Sequence, residues 1–90
     1  MAVEVTDNPG QHRYEAHVDG ELAGFAAYTL SATQIVFTHT EVHLEGRGVG
    51  SALVRAALDD VRRRGGLQVV PRCPFVRAFI DKHPAYADLT

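Results

Sequence analysis

One cysteine, Cys73, is all the sequence holds, so no internal disulfide can form. That usage fits a reducing, intracellular setting. No run approaches the roughly 18 uninterrupted apolar residues of a membrane span. The opening "MAVEVTDNPG" carries neither the basic nor the apolar stretch of a signal peptide. A basic excess is missing as well: 9 Lys and Arg stand against 11 Asp and Glu, for a net charge of −2 with histidines neutral. A nucleic-acid binder would show a basic patch or stripe. These absences predict a cytoplasmic protein with neither nucleic acid nor membrane as partner.

What is present is ordinary for a globular domain. The 90 residues are 46% hydrophobic and 22% charged, with no repeat, low-complexity tract or linker. We read residues 1–90 as one domain. At this size about 60–65% of the unfolded surface is buried, which leaves few side chains for a deep site.

The first half of the chain alternates. "VEVT" at 3–6 reads as a short strand ended by the turn cluster "DNPG". In "HRYEAHV", Tyr14, Ala16 and Val18 share one face, and Arg13, Glu15 and His17 the other. An Asp-Gly turn leads into "LAGFAAYTL", apolar on both faces like a strand inside a covered sheet. "QIVFTHTEV" follows, with Ile35, Phe37, His39 and Glu41 on one face and Val36, Thr38, Thr40 and Val42 on the other. These strands read as an antiparallel meander.

Beyond residue 48 the period changes from 2 to 3.6. Gly50, Leu53, Val54, Ala57, Leu58 and Val61 form an apolar stripe. Arg55, Asp59 and Arg63, four apart, are spaced for surface ion pairing. Arg62, Arg63 and Arg64 occupy the last turn, where cations complement the helix dipole. "GG" at 65–66 stops the helix and "LQVV" reads as a strand parallel to the one before it, since a helix links the two. A second helix opens at Pro74, directly after Cys73, and ends at Pro84. Phe75 and Phe79, at helical spacing, read as core. The expected fold is α/β of the α+β kind: a mixed, mostly antiparallel sheet in the order β-β-β-β-α-β-α.

Gly46, Gly48 and Gly50 stand where the fourth strand hands over to the first helix. The first four N–H groups of a helix lack internal partners, and the dipole adds about half a positive charge there. Glycines let an anion approach that backbone closely. Arg47 adds a possible charge-assisted contact. The spacing is not that of a dinucleotide fold or a P-loop.

"VHLEGRGVGSALVRAAL" resembles the acetyl-CoA motif of the Gcn5-related N-acetyltransferases, (Arg/Gln)-x-x-Gly-x-(Gly/Ala), with Glu45 at the Arg/Gln position. "HTEV" at 39–42, "VVPRCPFV" at 69–76 and "HPAYADL" at 83–89 resemble the small single-domain branch of that family, including its Cys-Pro-Phe motif. The resemblance implies that the fourth strand splays from the fifth and that a pantetheine arm lies in the opening. Its contacts would be the backbone of Glu41, Val42 and His43, with Pro74 nearby. The pyrophosphate would meet the amides of Arg47, Gly48, Val49, Gly50 and Ser51. In this family a tyrosine of the last helix often protonates the CoA thiolate; the nearest positions here are Phe79 and Ile80.

The resemblance puts Cys73 near the acetyl thioester. There it is a proton donor, a nucleophile carrying acetyl, or a buried thiol that packs as a small hydrophobe. His39 is either a base for the acceptor amine or a core histidine. Glu41 can serve as that base if burial raises its pKa. Tyr86 reads as a packing residue, and His12, His17 and His83 lack metal-ligand spacing, so no metal is expected. The leading expectation is transfer of acetyl from acetyl-CoA to a primary amine of a small molecule or protein, by a monomer or weak dimer. The competing expectation is a CoA-binding module that serves as sensor or partner protein.

Overall fold

A computed structural model describes residues 2–44 and 46–90. Five strands lie side by side in chain order: β1 (Val3–Asn8), β2 (Arg13–Val18), β3 (Glu21–Leu30), β4 (Gln34–Val42) and β5 (Gln68–Pro71). The first four pair antiparallel, and β5 joins β4 in parallel. Helix α1 (Val49–Arg64) makes the crossover between β4 and β5, and α2 (Pro74–Lys82) follows β5. The order is the expected one.

Boundaries differ for local reasons. β1 runs on through Asp7 and Asn8, which pair with Tyr14 and Arg13. The turn then starts at Pro9, with Asn8 Oδ1 accepting from the Gln11 N–H at 3.3 Å. β5 reaches Pro71, a residue without an N–H, which an edge strand tolerates. A 3-10 turn over Pro84–Leu89, unexpected from the sequence, closes the chain.

The core lies between the sheet and the helices. Tyr14, Ala16, Ala26, Tyr28, Ile35, Phe37 and Val69 are buried on one sheet face, and α1 lays Leu53, Val54, Ala57, Leu58 and Val61 onto them. Each fully buried Leu or Val contributes roughly 1.5–3 kcal/mol. From α2 come Val76, Phe79 and Ile80. β3 is the middle strand, but the expectation that it is covered on both faces fails. Among the described residues both helices pack on the same side, and Phe25 and Ala27 on the other stay half-buried.

Strict alternation also breaks in β4. Tyr28 pairs with Phe37 and Ala27 with His39, which leaves Thr38 as an extra residue. Such a bulge reverses the facing of everything after it. Ile35 and Phe37 point to the helices, but His39 and Glu41 do not share their face as the alternation predicts. Thr40 and Val42 turn inward instead, opposite Ala26 and Gly24, and His39 and Glu41 turn outward beside Phe25. The Cys73 N–H donates to the Phe37 carbonyl at 2.9 Å, just beyond the last β4–β5 pair, Phe37 with Pro71.

The arginines at the end of α1 do more than complement its dipole. Arg62 forks onto Asp88 at 2.8 Å and reaches the Ala85 carbonyl, tying down the last turn. Arg64 pairs with Asp7 and Asp60, carboxylates that accept the Tyr28 and Tyr14 hydroxyls at 2.6 Å. Burial, reinforced by those acceptors, pushes the Tyr28 hydroxyl up to about 12 and raises Tyr14 further. The predicted Arg55–Asp59–Arg63 ladder does not form: Asp59 accepts from the buried Tyr86 hydroxyl at 2.7 Å, and Arg63 pairs with Asp60.

Candidate acetyl-transfer site

The bulge at Thr38 opens a gap between β4 and the chain leaving β5. β4–β5 pairing stops at Phe37 and Pro71, so Thr40 and Val42 have no strand beside them on that edge. His43 donates its N–H to the Ala23 carbonyl at 2.7 Å, on the β3 side. Since main-chain groups alternate along a strand, those of Thr40 and Val42 turn toward the gap.

Cys73 sits across from them. It occupies the cap position of α2, is 4% exposed, and places Sγ 3.3 Å from Thr40 Oγ1. Pro74 begins the helix on the surface. The sequence reading missed Thr40, having placed it on the outer face. A signal was available: the apolar positions switch from odd (Ile35, Phe37) to even (Val42), the mark of one inserted residue.

On the opposite face His39 Nε2 lies 2.9 Å and His43 Nε2 3.4 Å from Glu41. The His39 side chain is 60% exposed and Glu41 48%. The hydrogen bond from His39, helped by His43, holds the Glu41 carboxyl below its ordinary value. Desolvation pushes it up by less than these hydrogen bonds pull it down, so the condition for Glu41 as a base at neutral pH is not met. His39 is a surface residue, not a core histidine.

Three glycines precede and open α1, for two different reasons. Gly46 and Gly48 have φ of +76° and +71°, a region that side chains rarely adopt, and a Cβ on either would meet no atom within 4 Å. Gly48 is the cap residue and offers no side-chain hydrogen bond to the first turn. Gly50 has an ordinary φ, but a Cβ there would lie 2.6 Å from Phe75 Cζ and 3.2 Å from Val42 Cγ2. Its missing side chain is filled by protein.

Around this loop runs a groove of about 270 Å³ lined by Val42, Leu44, Gly46, Gly48, Ser51 and Phe75, among others. Phe75 is 42% exposed and forms a wall of this groove, not part of the core as its spacing predicts. Val49 is buried, so only its backbone can face a ligand. Arg47 is exposed and lines a second groove with Asp19, Glu21 and His43. Glu45, at the Arg/Gln position of the motif, lies outside the described residues.

A strand splayed at a bulge beside an uncapped, glycine-opened helix matches a known family across most of the chain. The model described as "GCN5-related N-acetyl-transferase" matches residues 13–89. The chain belongs to this acetyltransferase family. Solved structures with the same fold include the ribosomal-protein-S18-alanine N-acetyltransferase from Escherichia coli, at TM-score 0.56 and 21% identity over 63% of this chain and 39% of that one. Another is the ribosomal-protein-alanine N-acetyltransferase from Brucella melitensis biovar Abortus 2308, at TM-score 0.59 and 24% identity over 79% of this chain and 59% of that one. The chain thus spans less than two thirds of either neighbour's length. No curated protein matches it.

Among the described residues no group of three or more His, Cys, Asp or Glu is placed to hold a metal ion, and no helix is long and apolar enough to cross a membrane.

Proposed function

We propose that the protein is a cytoplasmic N-acetyltransferase that moves acetyl from acetyl-CoA to a primary amine. The observation that carries this reading is the bulge at Thr38, which opens β4 and sends neighbouring side chains to opposite sides of the gap. Thr40 meets Cys73 on the helix side, and His39 stands on the other. An acid and a base are thereby held apart across one slot.

The cradle fits a pyrophosphate. The space beside Gly46 and Gly48 is open, and the first-turn amides of α1 have no side-chain cap. Amides of Arg47, Gly48, Val49, Gly50 and Ser51 hold the diphosphate, and the free β4 edge at Thr40 and Val42, with Pro74 opposite, holds the pantetheine arm; the main chain of Glu41 and His43, expected in that role, is turned to β3.

The acceptor nitrogen attacks the thioester carbonyl. A C–N bond forms and the C–S bond breaks, its electron pair staying on sulfur. His39 takes one proton from the nitrogen. Cys73 gives one proton to the leaving sulfur, oriented by Thr40, and recovers it from solvent. The products are an amide and free CoA. Proton donation suits the 4% exposure of Cys73 better than open nucleophilic attack.

One observation favours a second reading, a CoA-binding module without transfer: Phe79, which has no proton to give, stands where the family often uses tyrosine. Incubation with acetyl-CoA and a panel of amines, with products and intact protein read by mass, separates the two. Transfer supports the enzyme. CoA binding with no acetylated amine supports the module.

A further inference from the structure

Beside the gap, β4 turns Thr40 to the helix side and His39 to the sheet face that carries no helix among the described residues. That face is a platform. At its centre lies Phe25, with Arg13 4.6 Å above its ring and the rings of His39 and His43 at 6.0 and 6.1 Å. The side chains nearest the gap are 43–60% exposed. A small amine resting there would keep most of its surface in water, whereas sites for small molecules bury about 70–90% of the ligand. An acceptor that binds here must bring contact area of its own.

The charges of the platform select its sign. By register Glu4, Glu15 and Glu41 face outward; Glu15 is buried against the Arg13 guanidinium at 2.7 Å, which neutralises it, so Glu4 and Glu41 are the carboxylates presented to solvent. Hydrogen bonds from Arg13 and Asn8 hold the Glu15 carboxyl low, and those from His39 and His43 hold Glu41 low, so both stay ionised. Bordering the platform at His43, a groove of about 420 Å³ adds Asp19 and Glu21, with Arg47 as the opposing charge.

We propose that the acceptor is the amine of a basic polypeptide segment, which docks across Phe25 and the carboxylates of the open sheet face. The inference rests on the acetyl-transfer reading above. A free small amine is a poor substrate because nothing encloses it, and an acidic segment is repelled.

The test offers the full chain three acceptors with acetyl-CoA: a basic peptide, an acidic peptide of equal length and the same amino terminus, and butylamine. The basic peptide should exceed both others in kcat/KM by about tenfold, and its advantage should shrink with added salt. Glu4→Lys and Glu21→Lys should each lower kcat/KM for the basic peptide by about two- to fivefold. Neither should change the KM for acetyl-CoA or the rate with butylamine. Equal rates for butylamine, preference for the acidic peptide, or indifference to both charge reversals would overturn the proposal. Titration of the basic peptide by NMR, without acetyl-CoA, keeps the two readings apart. Shifts at Phe25 and His39 with no acetyl transfer support the docking surface and refute the transferase. Transfer to butylamine with no such shifts refutes the docking surface and supports the transferase.

Discussion

Thr40 Oγ1 lies 3.3 Å from Cys73 Sγ, although the two residues are 33 positions apart and one belongs to a strand, the other to a helix cap. The contact exists because one extra residue, Thr38, turns Thr40 inward. It ties the proposed mechanism to the fold, and it can be tested from both sides.

Cys73→Ala should leave CoA affinity within about threefold and lower acetyl transfer by about 10²-fold, the usual loss when a proton-transfer group is removed. Cys73→Ser should fall between the two. Thr40→Val should lower transfer less, and Thr40→Ser should restore it. Steady-state rates with the four variants decide this. A thiol that only packs would show unchanged transfer and lowered stability.

CoA should stabilise the protein through the glycine loop. At 100 times its dissociation constant a ligand adds about 2.7 kcal/mol, and each kcal/mol raises Tm by roughly 4–8 °C in a domain of this size. Gly48→Val should abolish most of the shift, since it forces a branched side chain into φ of +71° and into the cradle. Gly50→Ala should also reduce it, by pushing Phe75 from 2.6 Å into the groove. Thermal melts with and without CoA give the answer.

The Tyr28–Asp7 bond predicts an alkaline limit to stability. The Tyr28 hydroxyl is raised from 10.0 to about 12 by burial first and by Asp7 second. A raised folded pKa means stability that is fully present below pH 10 and lost as pH climbs through about 12. A rise of that size corresponds to about 2.7 kcal/mol. Urea unfolding between pH 9 and about 12 should show that decline, and Tyr28→Phe should lessen it, the remainder coming from Tyr14, whose hydroxyl is raised further.

Arg62→Ala should release the final turn. The side chain forks onto Asp88 and reaches the Ala85 carbonyl, an exposed pairing that solvent screens. Hydrogen exchange at Tyr86 and Thr90 should quicken, with little change in Tm.

Much of this architecture was legible in the residues, and the reasons it stopped being so are local. The 3.6-residue stripe from Leu53 to Val61 is long and regular, so α1 and the crossover to β5 follow from it. Gly48 before a helix and Pro74 after Cys73 likewise mark their elements. Alternation, by contrast, counts residues and cannot see an inserted one. His39 and Glu41 were therefore assigned to the face of Ile35, and Thr40 was overlooked. Composition could not tell β3 covered on both faces from β3 covered on one, because Phe25 is shielded by Arg13, His39 and His43 instead of a helix. The partners of Arg62, and Asp7 as a partner of Arg64, lie 23 or more residues away, beyond any local pattern.

The most direct test of the account is a crystal structure with acetyl-CoA bound. We expect the diphosphate on the amides of Arg47 to Ser51 and the arm along Thr40 and Val42. The thioester sulfur should lie within hydrogen-bond reach of Cys73, with its carbonyl open toward His39. A cofactor seated outside the β4 gap, or a thioester turned away from both Cys73 and His39, would contradict it.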